Sequence, residues 1–257
     1  MAEFTEYAPG TPAWVDLSSP DIEASKAFYG SLFGWGVEEM GPDAGGYCMF
    51  TLRGLYVAGL GPLQGEGQPP AWVTYISVAD ADDAVAKVKQ SGGMVFVEPM
   101  DVFDSGRMAV FADPTGAVLS VWQPNNHVGA QIANEPGSFS WNELNTRNPS
   151  AAKAFYSAVF GWEPVDHSMG GAMTYTEWKS GGRSVAGMLD MTPQVPAEIP
   201  PHWLVYFSVE DTDAAVAAIQ GKGGKLIVGP FDIPQGRFAV VSDPQGAFFA
   251  IIAPQAA

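Results

Sequence analysis

Lys26-Ala-Phe-Tyr-Gly-Ser-Leu-Phe-Gly-Trp35 returns later in the chain as Lys153-Ala-Phe-Tyr-Ser-Ala-Val-Phe-Gly-Trp162. The offset, 153 − 26 = 127, is close to half of the 257 residues. A repeat of domain-sized period means two copies of one fold rather than a solenoid. The repetition extends to both sides. Trp14-Val-Asp-Leu17 matches Trp141-Asn-Glu-Leu144, and Tyr75-Ile-Ser-Val78 matches Tyr206-Phe-Ser-Val209. Gly106-Arg107 matches Gly236-Arg237, and Asp113-Pro-Thr-Gly116 matches Asp243-Pro-Gln-Gly246. The offset drifts up to 131, as loop insertions allow. The repeat predicts a first domain over residues 1–127, a linker over 128–136 and a second domain over 137–257. The linker belongs to a turn-rich stretch, Pro124–Gly137.

A hydrophobic content of 47% is enough for a core in each half. The net charge of −16 excludes a nucleic-acid partner, whose phosphates need a basic footprint, and an anionic membrane surface. No apolar run approaches the roughly 20 residues of a membrane span. The start, Met1-Ala-Glu-Phe-Thr-Glu6, lacks the pattern of a signal peptide, and Cys48 is the single cysteine. Both point to a cytoplasmic protein without disulfides.

Each half reads as strand, helix, several strands, and then the same again. Thr11–Leu17 is the first strand. Asp21 caps the helix after it, Asn148 with Pro149 does so in the second half, and Gly34 and Gly161 end these helices. Further strands are predicted over Tyr47–Leu52, Leu55–Leu60 and Trp72–Val78, and over Met173–Lys179, Ser184–Leu189 and Trp203–Val209. Connectors fall at Gly61–Pro70 and Pro193–Pro201. Asp82 and Asp213 lie at the N-termini of the second helices, and two or three strands complete each half.

A Phe-Tyr…Phe-Gly-Trp helix after a short strand, with a late Asp-Pro-x-Gly, resembles the vicinal oxygen chelate superfamily. That superfamily includes glyoxalases, extradiol dioxygenases and bleomycin-resistance proteins. More narrowly, the chain is similar to two-domain actinobacterial members, which include a mycobacterial culture-filtrate antigen and Streptomyces proteins labelled hydroxylases. The resemblance implies an α+β fold of tandem domains. Each would hold two βαβββ modules forming an open curved sheet around a cleft. In the metalloenzymes of the superfamily, His and Glu from inward-facing strand positions hold a divalent ion. Counted from the motifs, those positions hold Trp14, Val73 and Ser120 in the first half, and Trp141, Leu204 and Ala250 in the second. The fourth strands, Leu55–Leu60 and Ser184–Leu189, offer no His or carboxylate. His127, His167 and His202 show no ligand spacing. No metal and no cofactor are therefore expected.

Strand alternation puts Asp16 beside Trp14 and Glu143 beside Trp141 on the cleft face. Val73, Tyr75 and Ser77 share a face, as do His202, Leu204, Tyr206 and Ser208. Trp14, Asp16, Val73, Tyr75, Trp141 and Leu204 are the candidate ligand-binding residues; each tryptophan can equally plug a dead cavity. Glu143, His202 and Tyr206 are the candidate catalytic residues, a carboxylate, an imidazole and a phenol suited to acid–base chemistry. Each also has a structural reading, as a satisfied core tyrosine, a hydrogen-bonded acid or a loop histidine. Arg107 and Arg237 are read as partners of such carboxylates. The expected function is metal-independent binding and transformation of an apolar or aromatic small molecule, of hydroxylase or lyase type. The alternative is sequestration of the bleomycin-resistance type. A metal-dependent glyoxalase or dioxygenase ranks below both. The expected partner is a small-molecule ligand, with the chain a monomer or homodimer.

Overall fold

The computed structural model describes residues 3–170, 174–191 and 195–255. The starts of the strand predicted at Met173 and of the connector predicted at Pro193 lie outside them. The first half runs β1 (Pro12–Ser19), α1 (Ile22–Phe33), β2 (Gly36–Glu39), β3 (Cys48–Leu52), β4 (Leu55–Pro62), β5 (Ala71–Ser77), α2 (Ala81–Gln90), β6 (Met94–Val102), β7 (Gly106–Ala112) and β8 (Val118–Pro124). The second repeats it as β9 (Phe139–Thr146), α3 (Pro149–Phe160), β10 (Glu163–Ser168), β11 (Thr174–Ser180), β12 (Arg183–Asp190), β13 (His202–Ser208), α4 (Thr212–Gly221), β14 (Lys225–Ile233), β15 (Gly236–Ser242) and β16 (Phe248–Pro254). Among the described residues no helix is long and apolar enough to cross a membrane.

Local chemistry sets the helices. Asp21 accepts from the Ala24 amide and Asn148 from that of Ala151, while Gly34 and Gly161 adopt φ of 72° and 69°. Asp82 and Asp213 lie in the first turns of the second helices, as predicted, and Asp80 and Asp211 cap them. The short strands β2 and β10 were not predicted.

Each half folds into one eight-stranded sheet, in the orders β2-β3-β4-β1-β5-β8-β7-β6 and β10-β11-β12-β9-β13-β16-β15-β14. Two four-stranded modules meet at the antiparallel pairs β1/β5 and β9/β13. Side chains of the central strands alternate between a cleft face and a helix-covered face.

The expectation of a core in each half is corrected. One core joins Leu17, Phe28, Tyr29, Trp35 and Phe50 of the first module to Phe207, Val216, Ile219 and Phe249 of the last. The other joins Ile76, Val85, Phe111 and Leu119 to Phe155, Tyr156, Trp162 and Trp178. The helices of one half thus pack on modules of the other.

The repeated motifs lock this arrangement. The Tyr29 hydroxyl donates to Asp243 Oδ2 at 2.9 Å, and the Tyr156 hydroxyl donates to Asp113 Oδ2 at 2.8 Å. The Trp35 indole donates to the Gly137 carbonyl and the Trp162 indole to that of Gly10, both at 2.7 Å. Each Phe-Tyr…Gly-Trp helix is therefore anchored on the opposite half. The stretch predicted as a linker is a packed strap: Ala130, Ile132 and Ala133 are buried. Its Ala130 and Gln131 amides donate to the carbonyls of Ala13 and Tyr56.

Candidate functional site

The second cleft is organised by β9. Trp141, Glu143 and Asn145 alternate onto the cleft face. In register, Trp141 lies opposite Tyr206 and Glu143 opposite Leu204 on β13, while on β12 Gly187 lies beside Glu143. The Tyr206 hydroxyl donates diagonally to Glu143 Oε1 at 3.1 Å, and Asn145 Nδ2 donates to the same oxygen at 3.3 Å. Tyr175, on β11, stands near enough to this carboxylate to favour its charged form. The Trp141 indole donates in turn to the Tyr175 hydroxyl at 2.9 Å. Around the group lies an apolar patch of Leu204, Tyr206, Ala250, Phe238, Val240 and Ile252.

Glu143 is 6% exposed. Burial raises its pKa above the usual carboxylate range, and Tyr206, Tyr175 and Asn145 partly offset the rise. Burial first, and the neighbouring Glu143 charge second, push the Tyr206 phenol well above its ordinary value. The group is thus a carboxyl that gives up its proton reluctantly, wired to neutral phenols.

The first cleft holds the counterpart. Tyr75 donates to Asp16 Oδ2 at 2.8 Å, and the Trp14 indole donates to the hydroxyl of Tyr47, which stands near this carboxylate, at 3.2 Å. Burial raises the Asp16 pKa to about 6, against the lowering pull of Tyr75 and Tyr47. The folded protein therefore binds this proton more tightly than the unfolded chain between the ordinary 3.8 and about 6. Stability contributed by Asp16 falls as pH rises through that window. Asp16→Asn is expected to stabilise the protein at pH 7 by about 1–3 kcal/mol, with the gain vanishing below about pH 4. Urea unfolding of both proteins across that range measures it, and an equal gain at all pH values would refute it.

The prediction missed Tyr47 and Tyr175, although both lie at one offset, 175 − 47 = 128, as do Gly59 and Gly187, 187 − 59 = 128. The glycines make room for them. A Cβ on Gly187 would fall on the Tyr175 hydroxyl and within 2.8 Å of the Trp141 indole nitrogen; one on Gly59 would fall on the Tyr47 hydroxyl. Gly187→Ala is expected to displace Tyr175 from Glu143 at a cost of about 1–3 kcal/mol. A crystal structure of the variant with Tyr175 unmoved would contradict this.

Other candidates are placed differently. Val73 lies opposite Asp16 and Leu204 opposite Glu143, as alternation requires. His202 is in register with Asn145, and its Nδ1 bonds the Pro200 carbonyl at 2.9 Å. That bond fixes it at the edge of the site, one row beyond Glu143. The reading of Arg107 and Arg237 is corrected. Arg107 pairs with Asp82 and Asp101, and Arg237 with Asp213 and Asp232, all on the surface rather than in the clefts. Strand-end register places each arginine opposite its aspartate, Asp101 or Asp232.

The positions where the resemblance implies metal ligands hold Trp14, Val73 and Ser120, and Trp141, Leu204 and Ala250, with Gly59 and Gly187 facing the clefts from β4 and β12. β12 extends one residue further than predicted and ends in a carboxylate, Asp190, which alternates to the face opposite Gly187. Among the described residues no group of three or more His, Cys, Asp or Glu side chains is placed to hold a metal ion. Indole, aliphatic and hydroxyl groups are not the donors a divalent ion needs. The residues present do not fit a divalent metal ion.

The family described as Glyoxalase/Bleomycin resistance protein/Dioxygenase superfamily matches residues 11–121 and again 133–251. The chain is 45% identical over 260 residues to a Mycobacterium tuberculosis protein named "Putative glyoxylase CFP32", covering 99% of this chain and 98% of the relative. It is 41% identical over 263 residues to the anthracycline biosynthesis protein DnrV of Streptomyces peucetius, covering 96% and 94%. Among solved structures, the Mn(II)-bound glyoxalase from Novosphingobium aromaticivorans aligns with a TM-score of 0.66 at 20% identity, covering 95% of this chain and 82% of that one. The 2,3-dioxygenase LapB from Pseudomonas sp. KL28 aligns at 0.67 and 14% identity, covering 97% and 94%. At such identities the solved structures bear on the fold alone.

Proposed function

Because the chain belongs to the glyoxalase/bleomycin resistance protein/dioxygenase superfamily, yet has a buried carboxyl beside implied ligand positions that hold no metal donor, we propose that it is a metal-independent enzyme. It binds a planar, apolar aromatic ketone in the second cleft and moves a proton on it. The observation that carries this reading is Glu143, a carboxyl of raised pKa set among phenols on an apolar face. A base of raised pKa is better matched to removing a proton from carbon at neutral pH. The relatives named for anthracycline biosynthesis support a polycyclic aromatic ketone as the substrate class.

Trp141 supplies a flat contact surface for such a ring system. Glu143 takes a proton from a carbon conjugated to the ketone, leaving an enol or enolate. The protonated carboxyl then releases the bond it accepted from Tyr206, whose hydroxyl becomes available to the developing oxyanion. Return of the proton to carbon completes an isomerisation with no oxidant and no net change in atoms. His202 flanks the site as a mouth residue.

The test is anthrone in deuterated buffer under argon, with methylene exchange followed by NMR. Catalysed exchange that disappears in Glu143→Gln while binding persists supports the proposal. Binding with no catalysed exchange in the unaltered protein would replace it with sequestration, a reading favoured by the net charge of −16, which attracts a cationic ligand.

A further inference from the structure

The two clefts carry matching residues but are not equally open. Trp14 is 4% exposed, whereas Trp141 is half-buried. The cover over Trp14 is His127. Its ring centroid lies 4.6 Å from that of Trp14 at an interplanar angle of 88°. Tyr56 and Trp122 stand 6.0 and 5.8 Å away, so three aromatic rings surround one imidazole.

The strap delivers this ring and holds it. The His127 amide donates to the Ser105 carbonyl at 3.0 Å, and its carbonyl accepts from the Trp122 indole at 2.8 Å. His127 Nε2 is buried without a hydrogen-bond partner. Such a nitrogen opposes folding, so the ring is held by its aromatic contacts and its backbone anchors rather than by its own polarity. Burial pushes its pKa down to about 4, which keeps the imidazole neutral, as an uncharged heteroaromatic guest would be.

Among the described residues the second cleft has no equivalent plug. The counterpart of His127 at offset 130 is Ala257, and the counterpart of Trp122 is Ile252. The counterpart of Tyr56 at offset 128 is Ser184. Trp14, Tyr75 and Trp122 merge into a large core, whereas Trp141, Leu204 and Tyr206 remain a separate cluster on the cleft face.

We infer that His127 is a resident plug: the first cleft is an aromatic cage for a small, neutral, planar heteroaromatic ring, occupied by the chain's own imidazole. It follows that each chain binds one aromatic ligand, in the second cleft, a step that rests on the function proposed above.

The cage is tested without that function. His127→Gly should bind 4-methylimidazole saturably, with a rise in melting temperature and a change in tryptophan fluorescence. The unaltered protein and His127→Gly/Trp14→Ala should show neither. A folded His127→Gly that ignores 4-methylimidazole, or an unaltered protein that binds it equally, overturns the inference. Should the glycine variant not fold, deuterium exchange at imidazole C2 in the unaltered protein decides. His127 should exchange at least tenfold more slowly than the exposed His167, and equal rates overturn the plug. Calorimetry with anthraquinone then counts clefts. One equivalent supports the inference and two overturn it, while no binding overturns the proposed ligand class and leaves the cage to the first two measurements.

Discussion

Asp243→Ala is expected to destabilise the protein by about 3–5 kcal/mol. Asp243 is 2% exposed and serves four donors. Oδ1 accepts from the amides of Gln245, Gly246 and Ala247 at 3.0, 2.8 and 2.9 Å. Oδ2 accepts from the Tyr29 hydroxyl of the other half at 2.9 Å. Alanine leaves a buried phenol and a turn of amides without this acceptor, and each such group costs about 1–3 kcal/mol. The Gly246 amide keeps the Asp243 carbonyl at 3.1 Å, which limits the total. Asp113→Ala should behave alike, since Asp113 serves Thr115, Ala117 and Tyr156. Urea unfolding measures both, with a lowered midpoint and an unchanged slope expected. Because the bond joins opposite halves, Tyr29→Phe and Asp243→Ala should be non-additive by about 1 kcal/mol or more. A loss below about 1 kcal/mol for the alanine variant would show that neither the turn nor the inter-half lock depends on the carboxylate.

That lock shows how far the sequence could be read. The aromatic helix was legible because capping by Asp21, the left-handed Gly34 and apolar spacing are local signals. The partner of the Tyr29 hydroxyl was not, because it lies 214 residues away on the opposite half and no local period encodes it. Alternation correctly placed Trp141, Glu143 and Tyr206 on one face, and the structure joins Glu143 to Tyr206. Tyr175 escaped because it stands two strands from β9 and reaches Glu143 only across the bare backbone of Gly187. His127 escaped because the turn-rich stretch around it reads as a connection, whereas its backbone anchors make it part of the first cleft. The arginines were assigned to the clefts because conspicuous carboxylates lay there. Surface aspartates on their own strand pairs and first helical turns satisfy them instead.

Glu143→Gln is expected to lower catalysed anthrone exchange by about a hundred- to ten-thousand-fold, the range over which a positioned acid–base group contributes. Glutamine matches the shape of the side chain and can still accept from Tyr206 through its carbonyl oxygen. The apolar surface of Trp141, Leu204 and Phe238 is untouched, so affinity for anthraquinone should change less than about threefold. This split between turnover and affinity separates a base from a structural hydrogen-bond partner. Tyr206→Phe provides the second arm. It removes the 3.1 Å bond to Glu143 Oε1, a bond that lowers the Glu143 pKa. The pKa of Glu143 should therefore rise further in this variant. If Glu143 is the base, the acidic limb of the exchange profile must move to higher pH, because the carboxylate then forms only at higher pH. A structural role for Tyr206 would lower exchange at every pH by one factor, with the limb unmoved. Glu143→Gln retaining more than about a tenth of the exchange rate would remove Glu143 from the chemistry and leave the second cleft as a binding site.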